Sequence, residues 1–346
     1  MAGQSAREAF VWRHWSGRTA LSTLLMPLAW LYGLLIALRK GLRVLGFLRQ
    51  HRLAVPVLVV GNFTVGGTGK TPLTLWLVQV LAAAGFRPGI VSRGYGGTAR
   101  SPVAVWPDSL AHVCGDEPLL LARESGCPVW VGRKRAEAAE ALLAANTQVN
   151  LIVLDDGLQH SALARDFEIA VHDERGVGNA RLLPAGPLRE PVRSVDAIVC
   201  NGAVCAQGEY AMRLMPRDLA DLASGRVVHL QDLVGLKLHA AAGIGNPGRF
   251  FATLRAMGLT FVEHPFPDHH AYVSGDFDFE DCDAVLVTAK DAVKSGVVAA
   301  ARGVRLIVLR VVADVDPALA SLVLDRVSSL VDRSDTDPVD GADGPD

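Results

Sequence analysis

Two stretches of this 346-residue chain place side chains at spacings suited to phosphate chemistry. The first is Val57 to Thr71, VLVVGNFTVGGTGKT. Gly66, Gly67 and Gly69 let the backbone turn tightly and aim its N–H groups inward. Thr64, Val65 and Thr68 complete the loop, and Lys70 and Thr71 close it at the start of a helix. A glycine loop leading into a helix N-terminus favours a polyphosphate. Lys70 is placed to reach the β- and γ-phosphates of a nucleoside triphosphate such as ATP, and the Thr71 hydroxyl to ligate Mg2+. Thr64 stands where the general motif has its first glycine. The second stretch is Leu151 to Gly157, an apolar run ending in Asp155 and Asp156. A strand that ends in a carboxylate is how such cradles hold Mg2+ opposite the Thr. The plain alternative is two turn-forming aspartates. Gln159 and His160 follow closely and enlarge the polar cluster.

Further candidates lie in loops. Ser92-Arg93-Gly94-Tyr95-Gly96-Gly97 is a second glycine-rich loop at a strand end, where ligands of α/β sheets bind. Arg93 is either a phosphate contact or a solvated turn residue. Gly115-Asp116-Glu117-Pro118 opens a helix, with Asp116 read as its N-cap and Pro118 in the first turn. The functional reading makes Asp116 a base toward a substrate hydroxyl, which requires its side chain to turn toward the cleft. Arg189 and Glu190 end a proline-rich connection, and suit a phosphate and a sugar or Mg2+ respectively. His269 and His270 are adjacent, and adjacent side chains do not converge on one metal ion. A partnership of His269 with Asp116 across the cleft fits better.

The elements that position these residues alternate as strand and helix. Strands are expected at Val57–Val60, Gly89–Val91, Pro128–Val131, Leu151–Leu154, Glu168–His172 and Asp196–Cys200. Helices are expected at Pro72–Ala84, from Gly115 to about Ser125, and at Arg133–Ala145. The character shifts near residue 235, where a second α/β unit begins. It holds a helix after Asn246-Pro247, strands at Leu259–His264, Asp283–Thr288 and Val304–Leu309, and a helix at Lys290–Ala301. The alternation predicts an α/β fold: a P-loop NTPase-like α/β/α domain at 51–235 and a smaller α/β domain at 236–330. An N-terminal membrane-associated helical region at 1–50 precedes them, and an acidic tail at 331–346 is expected to be disordered.

Half of the residues are hydrophobic, enough for two proper cores. The five cysteines (Cys114, Cys127, Cys200, Cys205, Cys282) form no CxxC pair and read as reduced thiols of a cytosolic protein. No Cys/His spacing marks a metal site. Residues 1–55 carry eight Lys/Arg against Glu8 alone, which suggests an anionic surface or substrate. Thr19 to Leu38 contains no charged residue and is flanked by basic residues, with Trp12, Trp15, Trp30 and Tyr32 in or beside it. Three placements fit it: a helix lying monotopically in the membrane interface, a true span, or a helix packed on protein. Pro27 and Gly33 weaken a straight span, and the basic and aromatic flanks favour the interface. No nucleic-acid recognition module occurs.

Together these residues resemble the tetraacyldisaccharide 4'-kinase family, the lipid A 4'-kinases of Gram-negative bacteria. The resemblance rests on Gly61–Pro72, Ser92–Tyr95, Gly115–Pro118, Asp155–His160, Leu183–Glu190, Ala242–Pro247, Phe266–His270 and Thr288–Lys294, in order over about residues 20–310. Thr64 is typical of that family, whereas Ala289 stands where the family usually has Glu. The resemblance implies transfer of the ATP γ-phosphate to the 4'-hydroxyl of tetraacyldisaccharide 1-phosphate, giving lipid IVA. It also implies Mg2+ dependence and a location on the cytosolic face of the inner membrane. Asp116, His269 and Lys70 are then expected at the reacting centre, and Asn62, Arg93, Gln159, His160, Arg189 and Glu190 on the acceptor side. The partners expected are the lipid disaccharide and a membrane surface, with no protein partner. The competing readings are a P-loop ATPase or GTPase switch and a membrane-anchored binding module. Thr288-Ala289-Lys290-Asp291 lacks the amide of a guanine-reading N-K-x-D, and paired aspartates after a P-loop are not needed by a mere binder.

Overall fold

The computed structural model describes residues 10–48 and 50–336. The chain opens with helices α1 (Ala20–Leu24) and α2 (Met26–Val44), then strand β1 (Val57–Gly61), helix α3 (Lys70–Ala83) and strands β2 (Pro88–Ser92) and β3 (Val103–Val105). Helices α4 (Ala111–Cys114) and α5 (Asp116–Glu124), strand β4 (Val129–Val131), helix α6 (Arg135–Ala145) and strands β5 (Leu151–Asp155), β6 (Phe167–Asp173) and β7 (Ala197–Asn201) follow. The remainder is β8 (Tyr210–Asp221), β9 (Val227–Val228), β10 (Leu238–Ala242), α7 (Pro247–Ala256), β11 (Val262–Pro265), β12 (Ala284–Thr288), α8 (Ala289–Ala301), β13 (Leu306–Val315) and α9 (Pro317–Thr336).

The apolar run Val57–Val60 becomes a strand because both of its faces are covered, and it is buried throughout. Alternation sends Leu58 and Val60 into a core with Leu73, Leu77 and Leu81 of α3. Val57 and Val59 enter the opposite core with Ala138, Ala139 and Leu142 of α6. Truncating a fully buried leucine such as Leu77 to Ala costs about 2–5 kcal/mol. β1 pairs in parallel with β5 on one side and β6 on the other. The phosphate loop and the Asp155-Asp156 turn therefore leave neighbouring strands at the same edge.

The two α/β units share one 13-stranded sheet, ordered β11-β10-β12-β13-β8-β7-β6-β1-β5-β2-β4-β3 with β9 on β8. The join is β13. Its first part, Leu306–Leu309, pairs in parallel with β12, and its full length runs antiparallel to β8, from Ile307 opposite Asp221 to Val315 opposite Met212. The chain is thereby carried back to the first unit. Leu319, Val323 and Val327 of α9 enter the same core as Leu58 and Leu77. A boundary placed at 235 with everything to 330 in the second unit differs from this arrangement, since the last helix belongs to the first core. α9 also continues through Thr336, so residues 331–336 of the expected tail are helical. Residues 337–346 lie outside the described residues.

The stretch from Ala20 to Val44 folds as two helices. Thr19 caps α1, its hydroxyl accepting from the Ser22 N–H while the Ser22 hydroxyl accepts from the Thr19 N–H. Pro27 sits in the first turn of α2, where a missing N–H does no harm. Leu24, Leu28, Leu31, Leu35 and Leu38 recur at helical spacing and are exposed, as are Trp30 and Leu34. The opposite side is stitched to the 181–189 connection. Tyr32 donates to the Arg189 carbonyl at 2.8 Å and Arg181 to the Ser22 hydroxyl at 3.1 Å. A Cβ on Gly33 would stand 3.0 Å from the Leu182 side chain, so glycine permits this close approach. No helix among the described residues is long and apolar enough to cross a membrane.

Candidate active site

The phosphate loop is held from three directions. Asn62 donates to the Thr68 hydroxyl at 3.2 Å, Asn201 at the end of β7 donates to the Thr68 carbonyl at 3.0 Å, and Arg175 donates to the Gly67 carbonyl at 3.2 Å. Val65 donates its N–H to the Pro187 carbonyl, and Thr64 bridges to Leu188. Gly69 caps α3 at φ 98°, and a Cβ there would lie 2.6 Å from the Asn201 amide nitrogen. The helix starts at Lys70, two residues earlier than the sequence suggests, because Pro72 fits within the first turn. No side chain caps this helix, so its first N–H groups remain available to an anion. Gly66 lies beside Arg175.

Asp155 is 1% exposed and accepts from the Thr74 hydroxyl at 3.2 Å and the Ser92 hydroxyl at 3.4 Å. Burial, with Glu117 and Asp156 close by, pushes its carboxyl up to about 7. Asp156 sits at φ 50° and faces cations instead. Arg189 donates to both of its oxygens, at 2.8 and 3.1 Å, and Lys70 Nζ lies 3.8 Å away. Burial is outweighed there by Lys70 and Arg189, which bring the carboxyl down to about 2. The two adjacent aspartates thus differ: one is a buried carboxyl among like charges, the other an ionised member of an arginine fork.

Across the cleft stands a second cluster. Gly115 caps α5 at φ 93°, and a Cβ there would meet the Tyr95 carbonyl at 2.6 Å. Glycine therefore takes the capping position, and Asp116 is the first helical residue, not the N-cap the sequence suggests. Its freed side chain meets His269, Nδ1 to Oδ2 3.2 Å. Lys290 Nζ lies 3.3 Å from the other ring nitrogen, Nε2. An ammonium only donates, so Nε2 accepts and Nδ1–H donates to Asp116. Burial raises the Asp116 carboxyl, but the His269 hydrogen bond and the positive charges of Lys290 and Lys294 prevail and lower it. Asp116 is therefore ionised, in the form a base requires. Lys290 also pairs with Glu117 at 3.0 Å and with Asp268 at 3.4 Å.

The other expected residues are distributed around this centre. Lys70, Thr71, Gly67, Glu117, Ala289 and Lys290 line one cleft of about 450 Å³ between the two halves of the sheet. Arg189 is spent on Asp156 and, at 3.0 Å, on the Asn62 amide oxygen. Gln159 donates to the Asn62 carbonyl and to Glu190, each at 2.8 Å, so Glu190 anchors Gln159. The Gln159 amide oxygen and His160 Nε2 are buried without a partner. Burial and the charges of Arg135, Arg39, Arg43 and Arg165 bring His160 down to about 4. Arg93 is exposed at the end of β2. Four participants carried no signal by spacing: Arg175 and Asn201 behind the loop, and Lys290 and Lys294 from α8. Lys294 Nζ reaches to 4.0 Å from Asp116. The Thr-Ala-Lys-Asp run that contains Lys290 drew attention as part of the family resemblance and as an incomplete guanine-reading motif, but no role was read for Lys290, since its partner Glu117 is 173 residues away.

An α/β fold with a glycine loop that ends in Lys-Thr at an uncapped helix, in a cleft also lined by Glu117 and Lys290, is that of a kinase. The model of the Tetraacyldisaccharide-1-P 4'-kinase family matches residues 21–328, and the chain belongs to that family. It is 48% identical to the tetraacyldisaccharide 4'-kinase of Methylobacillus flagellatus over 326 residues, 93% of this chain and 96% of that one. It is 50% identical to that of Dechloromonas aromatica, over 88% of this chain and 92% of the other. The crystal structure of LpxK from Aquifex aeolicus in complex with ATP superposes with a TM-score of 0.74 at 29% identity, covering 89% of this chain and 99% of that one.

Proposed function

We propose that the cleft binds ATP across Gly66–Thr71 and that Asp116 takes the proton from the 4'-hydroxyl of a tetraacyldisaccharide 1-phosphate. The 4'-oxygen then forms its bond to the γ-phosphorus as the bond to the β,γ-bridging oxygen breaks, releasing ADP and a bisphosphorylated lipid. The observation that carries this reading is the Asp116–His269 contact at 3.2 Å, with Lys290 behind the ring. The ammonium holds the imidazole in the tautomer that donates to Asp116, so the carboxylate keeps its other oxygen for the substrate. Lys70 offsets charge on the transferred group, and such transfer depends mainly on position and charge neutralisation.

The residues fit Mg2+. Asp155 is a buried carboxyl among the carboxylates of Glu117 and Asp156, an all-oxygen set with negative charge in excess at that point. Thr71 and Asp155 or Asp156 would hold the ion. Bound there, Mg2+ supplies charge neutralisation to the phosphates. The buried, unpartnered atoms of Gln159 and His160, with Arg39, Arg43 and Arg135 around the imidazole, support an acceptor side that receives a polar, anionic group. The exposed apolar face of α2 beside Arg39, Lys40 and Arg43 supports docking on an anionic membrane surface, where each Lys/Arg is worth about 1 kcal/mol. By this reading the enzyme works monotopically from the cytosolic face of the inner membrane.

The test is incubation of the purified protein with labelled ATP, Mg2+ and the disaccharide 1-phosphate. A labelled bisphosphorylated lipid is expected. ATP turnover that ignores the acceptor would instead make the protein a switch or assembly ATPase.

A further inference from the structure

We propose a second metal site, for one Zn2+, built by His172, Cys200 and Glu209. It lies behind the phosphate loop, apart from the oxygen-lined cleft. The sequence hides it: His172 and Cys200 are the penultimate residues of β6 and β7, and Glu209 lies in the connection to β8. Parallel pairing puts His172 directly opposite Cys200. The ligand atoms of His172, Cys200 and Glu209 all fall within 4.8 Å of one another. Cys205 stands beside the cluster, its thiol donating to the Cys200 carbonyl at 3.6 Å. Ligands roughly 2.0–2.3 Å from one tetrahedral ion stand close to these separations.

The hydrogen bonds around the cluster already have the form of a metal site's outer shell. His172 Nδ1 lies 3.0 Å from the Asp173 carbonyl oxygen, which can only accept, so Nδ1 carries the proton. In the neutral ring Nε2 is then a bare acceptor, yet it faces Glu209 Oε1, a second acceptor, at 3.0 Å. Two lone pairs at that distance need a cation or a proton between them. The other Glu209 oxygen accepts the Ala206 N–H at 2.9 Å, which leaves Oε1 for one bond to an ion. A nitrogen, a thiolate sulfur and a carboxylate oxygen, with the fourth position left to water, suit Zn2+ rather than Mg2+.

The place explains the use. Asn201, next after Cys200, donates to the Thr68 carbonyl, and Asp173, next after His172, holds Arg175 against the Gly67 carbonyl. An ion joining these strand ends would fix both outer supports of the phosphate loop.

The full-length protein, stripped of metal and loaded with Zn2+ alone, is expected to retain one equivalent through gel filtration in excess Mg2+. Loading with Co2+ should give a thiolate-to-cobalt charge-transfer absorption, which an oxygen-lined Mg2+ site cannot produce. Cys200→Ser, with unchanged circular dichroism, should lose the band, and His172→Gln should weaken Zn2+ retention tenfold or more. The site is overturned if the unaltered protein keeps no Zn2+ and shows no band. In that case His172 and Glu209 are an imidazolium–carboxylate ion pair only. Equal retention by both variants would overturn it as well.

Discussion

The chain contains two strand–glycine-loop–helix units that look alike and work differently. In the first, β1 leads through Gly66, Gly67 and Gly69 into α3. In the second, β10 leads through Gly243 and Gly245 into α7. The first helix is capped by Gly69, with no side-chain acceptor, and begins with Lys70 and Thr71. The second is capped by Asn246, whose side chain accepts the Arg249 N–H, and begins with Pro247. The first therefore offers free N–H groups and a cation to a ligand, and the second has satisfied its own end. They meet at the cleft, where a Cβ on Gly245 would stand 3.0 Å from Gly67 N. The same backbone plan makes a phosphate cradle or a wall, depending on what stands at the first turn.

The largest effect should come from the bridge between the halves. Asp116→Ala is expected to lower kcat by about 10²–10⁴-fold with ATP affinity near normal, measured by steady-state kinetics and nucleotide titration. A collapse of ATP binding would move Asp116 to the nucleotide side of the comparison. Next is the cradle itself. Gly69→Ala forces a Cβ onto Asn201 at φ 98°, and should weaken nucleotide binding by about 1–3 kcal/mol, roughly 5- to 150-fold by calorimetry. An unchanged affinity would mean that the uncapped turn is not the phosphate site.

The pH dependence is smaller. A carboxyl pushed up to about 7 keeps its proton at pH 6 and must release it to take a cation. Affinity for Mg2+-nucleotide should therefore rise about tenfold from pH 6 to pH 8, and Asp155→Asn should flatten the rise. A rise that survives Asp155→Asn would assign it to another group. The smallest effect sharpens the contrast from the other side. Asn246→Ala should cost about 0.5–2 kcal/mol of stability in chemical denaturation, with nucleotide affinity little changed.

Much of this was legible in the residues. The continuous apolar run of β1 and the glycines after it announced a buried strand and a tight loop opening a helix, because both depend on neighbours within about fifteen positions. The cap at Asn246 was legible for the same reason. Asp116 was half legible: its motif was evident, but its position in the helix was not, since the choice of Gly115 as cap depends on the Tyr95 carbonyl packed against it. The far end of the second unit was not legible, because β13 looks local in sequence yet pairs with β8 across some ninety residues.

The sequence by itself determined the strands, the helices, the cradle and the family, since these follow from short-range pattern and from residue types that only a few conformations accept. Tertiary structure decided what each charged group does. Asp155 and Asp156 are neighbours in the chain, yet one carboxyl is pushed up to about 7 and the other down to about 2. Burial raises both; Glu117 adds to it at Asp155, whereas Lys70 and Arg189 outweigh it at Asp156, and Coulomb interactions follow distance in space, whatever the separation along the chain.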